Sequence, residues 1–243
     1  MSAFVIKIIA AVTMLIDHAG LVLFPQHEFM RIIGRLAFPI YAYCIAEGFR
    51  YTKNRWKYFL RLFLLGALCQ IVYTVVDREL YLGVLISFSI SIIIMFFVDC
   101  AKAASEGVRS KFGEWISRLL KKNISTPTDR LLSSAAALLC ITAAFVLCVY
   151  VDVDYGFFGI MLPVMTNFFH DRTRRLVMFS SCLIALCIDL TGSNFTIQFW
   201  SLLTVPILAI YNGKPGKYRL KYFFYIFYPA HIALLYGISM LIR

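Results

Sequence analysis

Residues Val5–Phe24 read VIKIIAAVTMLIDHAGLVLF, twenty positions in which Lys7, Asp17 and His18 are the ionisable interruptions of an apolar run. A helix rises about 1.5 Å per residue, so about twenty such residues cross the hydrocarbon core of a bilayer. The stretch reads as a first span and not as a removable leader, because charges sit inside it and no small-residue cleavage site follows. Blocks of the same character recur at Leu82–Val98, Leu131–Val151 and Leu176–Leu190. Within lipid only helices and closed barrels satisfy every backbone group, and nothing here alternates like a barrel strand. An all-α, polytopic transmembrane bundle is expected.

Composition agrees: 61% of residues are apolar, 15% are charged, and the mean hydropathy is +0.79. Soluble domains carry about a quarter charged residues, too many for this chain to match. Apolar blocks place spans near residues 4–24, 31–50, 57–76, 80–99, 131–151, 155–169, 175–190, 195–211 and 221–242, about nine crossings in a single domain covering 1–243. With the N-terminus in the cytoplasm, the outer side holds only Arg31, Arg35, Arg78 and Arg243 of the 24 Lys and Arg residues. That asymmetry fixes the orientation and the multi-pass topology. The net charge of +11 then reflects anionic membrane lipid, with no nucleic acid as partner. The seven cysteines contain no C-x-x-C pair, so neither a disulfide framework nor a zinc site is expected.

The basic loop 100–130 has one structured candidate. Val108, Phe112, Trp115, Ile116, Leu119 and Leu120 recur at helical spacing among Arg109, Lys111, Arg118, Lys121 and Lys122. This is the pattern of an amphipathic helix on the inner leaflet or packed beneath the bundle. Ser125, Thr128 and Asp129 offer N-caps for the span that follows.

Ionisable side chains at membrane depth are costly, so each is a functional candidate. Lys7 and His18 lie eleven residues apart, close to three turns, on one helix face and roughly 16–17 Å apart. His231, ten residues into the last span, reaches a similar depth; two hydrogen-bonding histidines or a shared pocket both satisfy this pattern. Asp17 points about 100° away from His18, so it faces another helix's polar group, such as Arg31 or Arg35, or assists the outer mouth. Arg31 suits snorkelling to the interface, whereas Arg35 is placed deeper, to bind something. Pro229 frees a carbonyl just before His231 and should kink the last span there. Glu47, Arg50, Lys53, Arg55, Lys57 and Arg61 surround an inner loop. Together with Tyr211-Asn-Gly-Lys-Pro-Gly-Lys217 they could hold phosphate, although the P-loop spacing is missing.

The stretches Lys7-Ile-Ile-Ala with Ile16-Asp17-His18-Ala-Gly20, Arg31-Ile-Ile-Gly-Arg-Leu-Ala-Phe-Pro39, and Ala46-Glu-Gly-Phe-Arg50 with Thr52 carry a resemblance. So do Tyr211-Asn-Gly213 with Gly216, and Lys221-Tyr-Phe-Phe-Tyr-Ile-Phe-Tyr-Pro-Ala-His231. They resemble the TraX family, conjugation-associated membrane proteins implicated in N-terminal acetylation of pilin. The likeness covers 6–66 and 211–237. That family is in turn similar to the acyltransferase-3 group, which moves acyl groups from coenzyme A to extracytoplasmic acceptors. Departures from that group are Lys in place of Arg at position 7, Glu in place of Ser at 47, and a chain one span short of the group's usual ten.

The resemblance implies a multi-pass acyltransferase of a bacterial cytoplasmic (inner) membrane. Acetyl-CoA or another acyl-CoA would be the donor, an amine or hydroxyl on a small molecule or peptide the acceptor, and no metal would take part. His18, His231 and Asp17 would be catalytic. Lys7, Arg50, Arg55, Arg61, Lys214 and Lys217 would bind the donor, and Arg35, Arg31 and Glu47 the acceptor. His18 would act as general base or carry a transient acyl group. A transporter or channel and a non-catalytic membrane assembly factor are the competing expectations.

Overall fold

The computed structural model describes residues 1–77, 81–191, 196–216 and 221–242. Its elements are α1 (Ala3–Val22), α2 (Glu28–Gly34), α3 (Ala37–Tyr51), α4 (Arg55–Asp77), α5 (Val84–Ser105), α6 (Lys111–Leu120) and α7 (Thr126–Tyr150). They continue with α8 (Gly156–Phe168), α9 (Arg172–Thr191), a 3₁₀ helix (Ile197–Leu203), α10 (Thr204–Ala209) and α11 (Lys221–Ile242). A two-residue parallel bridge joins β1 (Tyr81–Leu82) to β2 (Asp152–Val153). Among the described residues, four helical segments are long and apolar enough to cross a bilayer: Ala3–Val22, Glu28–Tyr51, Val84–Ser105 and Thr126–Tyr150. Shorter apolar helices cover Gly156–Phe168, Ile197–Ala209 and Tyr225–Leu241. This is an all-helical membrane protein. Length and composition single out four of the nine expected crossings.

The chain forms two compact units, residues 1–48 with 171–243 and residues 49–170. In the first, α1 packs against α2 and α11, and the 3₁₀ helix packs against α2 and α9. Two of the expected spans are interrupted here. The second breaks at Arg35–Leu36, because Pro39 has no N–H to offer the carbonyl four residues back, which is that of Arg35. The eighth begins as a 3₁₀ helix and becomes α-helical at Thr204, just ahead of Pro206. Gly34 lets α2 meet α1: a Cβ there would stand 2.0 Å from Oδ1 of Asp17. The start of the chain is stitched to the loop after α10. Met1 donates its amino group to Ile210 O (2.8 Å), Asn212 N to Met1 O (2.8 Å), and Ala3 N to Lys214 O (2.8 Å). Gly216, at φ +88°, allows that approach, since a Cβ would lie 2.7 Å from the Ser2 hydroxyl.

In the second unit α5 is the hub, packed against α4, α7 and α8. Its buried Ser91 donates to the Ile160 carbonyl at 2.7 Å, a side-chain bond between helices. The expected amphipathic segment folds as α6, with Ser110 as N-cap accepting from Gly113 N. Trp115, Leu119 and Leu120 on it are exposed. Ser125 caps α7, as its sequence position suggests, but Asp129 does not share that task. It is fully buried and accepts from the backbone N–H and hydroxyl of Ser110, at 2.7 and 2.6 Å, and from Ser133. A buried carboxylate is better satisfied by tying α6 to α7 than by an exposed cap.

Candidate active site

His18 on α1 and His231 on α11 are 213 positions apart, yet His18 Nδ1 lies 2.7 Å from His231 Nε2. The rings stack with centroids 4.9 Å apart, and Phe227 also stacks with His231 at 4.8 Å. His231 is 3% exposed, and its Nδ1 lies 2.6 Å from the carbonyl oxygen of Phe227, one turn earlier. These contacts set the tautomers. A carbonyl can only accept, so His231 Nδ1 carries the proton and, in the neutral ring, its Nε2 is the acceptor. His18 Nδ1 must then donate to it, which leaves the lone pair on His18 Nε2. Among the described residues no hydrogen bond reaches that nitrogen. Carbonyl, imidazole and imidazole thus form a chain that stabilises positive charge on His18 when Nε2 takes a proton.

Asp17, one position earlier, faces a different set of groups, as neighbouring helical residues must. Its Oδ2 pairs with Arg31 at 2.8 Å and its Oδ1 with Arg35 at 3.3 Å. Arg35 also donates through Nε to the Arg31 carbonyl and through Nη1 to Oε1 of Gln198, each at 3.3 Å. Both guanidiniums lie within electrostatic range of His18. Arg31 is paired with Asp17 and about a quarter exposed.

Glu47 occupies a second centre of the same unit, and this one is buried. Its Oε1 accepts from Arg175 at 2.5 Å and its Oε2 from the Tyr211 hydroxyl at 3.0 Å. Both oxygens of the acceptor-binding candidate Glu47 are therefore engaged within the fold. The six donor-binding candidates divide. Lys7 and Lys214 belong to the first unit, half-buried and exposed respectively. In the second, Arg50 donates to the carbonyls of Asn167, Phe169 and His170, closing the C-terminus of α8. Arg55 pairs with Asp99 at 2.7 Å and lies over the Phe49 ring, while Arg61 is exposed. Lys217 lies outside the described residues, as do Arg78, Arg219 and Arg243.

Sequence reasoning missed Gln198, the Phe227 carbonyl and the pairing of Arg175. A survey confined to ionisable groups passes over an amide, and a backbone acceptor has no residue type. Arg175 looked like one more inner-loop cation.

A curated Dichelobacter nodosus protein, named a probable fimbrial assembly protein FimC of serogroup H1, is 24% identical over the whole of this chain and 97% of its own length. A Rickettsia prowazekii (strain Madrid E) protein, the uncharacterised RP591, is 35% identical over 30% of this chain and 28% of its own. No solved structure matches. The model of the TraX protein family matches residues 2–239, so nearly every element above falls within it, including both histidines. The chain belongs to the TraX protein family.

Proposed function

We propose that the protein is a multi-pass acyltransferase of a bacterial inner membrane. It would move an acetyl or other acyl group from cytosolic acyl-CoA to an amine or hydroxyl presented at the membrane or outside. The observation that carries this reading is the bare Nε2 of His18 at the end of the Phe227 carbonyl–His231–His18 chain. A neutral imidazole with a free lone pair can take a proton from an acceptor atom and return it to a leaving group. Nε2 of His18 removes the proton from the acceptor atom as that atom bonds the thioester carbon. The tetrahedral intermediate then expels the CoA thiolate, which receives the proton from Nε2. In the covalent variant Nε2 attacks first, the thiolate leaves, and the acceptor takes the acyl group from the imidazole. Arg35, already within electrostatic range, would steady the oxyanion in a medium of low dielectric constant. The acyl-CoA enters along the Lys7 face of α1, its phosphates near Lys214 and the loop stitched to the chain start. Glu47 serves as a support for this unit.

The name of the Dichelobacter relative brings a fimbrial subunit forward as acceptor. It equally favours a second reading, a membrane assembly factor without catalysis. Purified protein and labelled acetyl-CoA separate the two. The acyltransferase is stabilised against heat by acetyl-CoA and releases or transfers label. His18→Ala should lower turnover by about 10²–10⁴-fold, the usual worth of a positioned general base, in a protein that still folds. Wild-type turnover in His18→Ala would remove the role of this histidine. If acetyl-CoA neither stabilises the wild type nor loses label, the assembly-factor reading stands.

A further inference from the structure

Gln198 is 5% exposed, and among the described residues its side-chain Nε2 has no hydrogen-bond partner. Its orientation is not arbitrary. Arg35 has only donors, so the amide must turn its oxygen toward the guanidinium, and the NH₂ group points away from it. The backbone is fixed too, since Gln198 N donates to the Thr196 hydroxyl at the start of the 3₁₀ helix. Folded interiors rarely leave such a donor idle. The charge around it is also unbalanced: Arg31 and Arg35 share the single carboxylate of Asp17, which leaves this bonded cluster at a formal +1. Among the described residues Arg31 keeps its Nε and one terminal nitrogen unused, and it is about a quarter exposed.

An idle buried donor, unused guanidinium donors and one surplus positive charge fit one kind of ligand. We infer that Gln198, with Arg31 and Arg35, forms a binding site for a monoanionic oxygen group. Such a group is a carboxylate on a peptide or the phosphodiester of a lipid headgroup. The inference rests on the acyl-transfer reading only in taking the bearer of that group to be the acceptor. In the proposed orientation Asp17 and Arg31 lie toward the outer side, from which an acceptor would come, and Arg35 lies one turn deeper. Gln198 is then a specificity-determining residue: it holds the acceptor by an oxygen while His18 handles the proton.

The test is thermal unfolding of the full-length protein in detergent with glycylglycine, glycylglycine amide or dimethyl phosphate at millimolar concentration. Glycylglycine or dimethyl phosphate should raise the melting temperature of the wild type, and the amide should do so less. Which of the two anions acts tells a peptide carboxylate from a headgroup phosphate. Gln198→Glu keeps the shape, removes the donor and cancels the surplus charge; it should lose the response. Gln198→Met removes the donor without adding charge and should also lose it, while melting within about 2 °C of wild type in the absence of ligand. No response to either anion in the wild type overturns the inference, as does an unchanged response in both variants. Acetyl-CoA turnover is followed separately: anion binding without turnover sinks the acyltransferase and leaves the site.

Discussion

The first unit contains two centres built from the same parts, an acidic side chain and arginine; the one at Glu47 is buried, the one at Asp17 half-buried, and they are closed to different degrees. Around Glu47 one carboxylate meets one guanidinium and one phenol, every carboxylate oxygen is used, and the formal charge is zero. Around Asp17 one carboxylate serves two guanidiniums, a charge is left over, and the amide of Gln198 keeps a donor in reserve. Desolvating charge is costly unless it is paired and hydrogen-bonded. The closed centre meets that cost internally and needs nothing further. The open one is complete only with a ligand, and it adjoins the histidine pair. Residue type alone would have graded Glu47 and Asp17 alike; it is the accounting of donors and acceptors that separates scaffold from site.

The comparison breaks most visibly at Arg175. Arg175→Met leaves the Glu47 carboxylate buried with only a phenol, and breaking such a pair costs about 3–5 kcal/mol. Detergent-solubilised protein should melt roughly 10 °C lower, since a chain of this size shifts a few degrees per kcal/mol. A variant that melts with the wild type would show that the Glu47 centre is not the support assigned to it.

A smaller effect, of a different kind, is expected at the open end. His231→Phe preserves the stacking on Phe227 but removes the acceptor for His18 Nδ1. A hydrogen bond to a charged group is worth about 1.5–3 kcal/mol, so kcat should fall about 10- to 100-fold while melting changes much less than in Arg175→Met. If kcat holds and stability falls, the imidazole pair is structural and the contrast between the two centres disappears.

How much of this was legible beforehand follows from the same distinction. Apolar runs such as Val5–Phe24 announced helices because lipid permits little else, and Lys7, Asp17 and His18 stood out against them. The 100° step between Asp17 and His18 turned Asp17 away from the imidazole and left Arg31 and Arg35 among its possible partners; the fold pairs it with both. The break at Arg35–Leu36 was signalled by Pro39, yet hydropathy averaged it away. Asp129 was read as a cap because local spacing offered one, and a tertiary partner 19 residues back, Ser110, claimed it instead. The contact between His18 and His231 spans nearly the whole chain, and depth alone could not decide it. Gln198 escaped because its importance lies in what its Oε1 touches and its Nε2 does not.

The smallest effect sought in stability is also a test of the donor route. Arg50 and Arg55 are engaged by carbonyls and by Asp99, so replacing them would confuse folding with binding. Arg61 and Lys214 are exposed, and among the described residues neither side chain makes a hydrogen bond or ion pair. Such surface substitutions normally stay within about 0.5 kcal/mol, so Arg61→Ala and Lys214→Ala should melt with the wild type. If either charge meets the phosphates of acyl-CoA, its removal should raise the KM for acetyl-CoA several-fold, leave kcat alone and weaken the dependence of KM on salt. An effect in Lys214→Ala with none in Arg61→Ala would confine the donor to the first unit, where the closed and open centres both lie. Unchanged KM in both variants would take the phosphates away from these cations altogether.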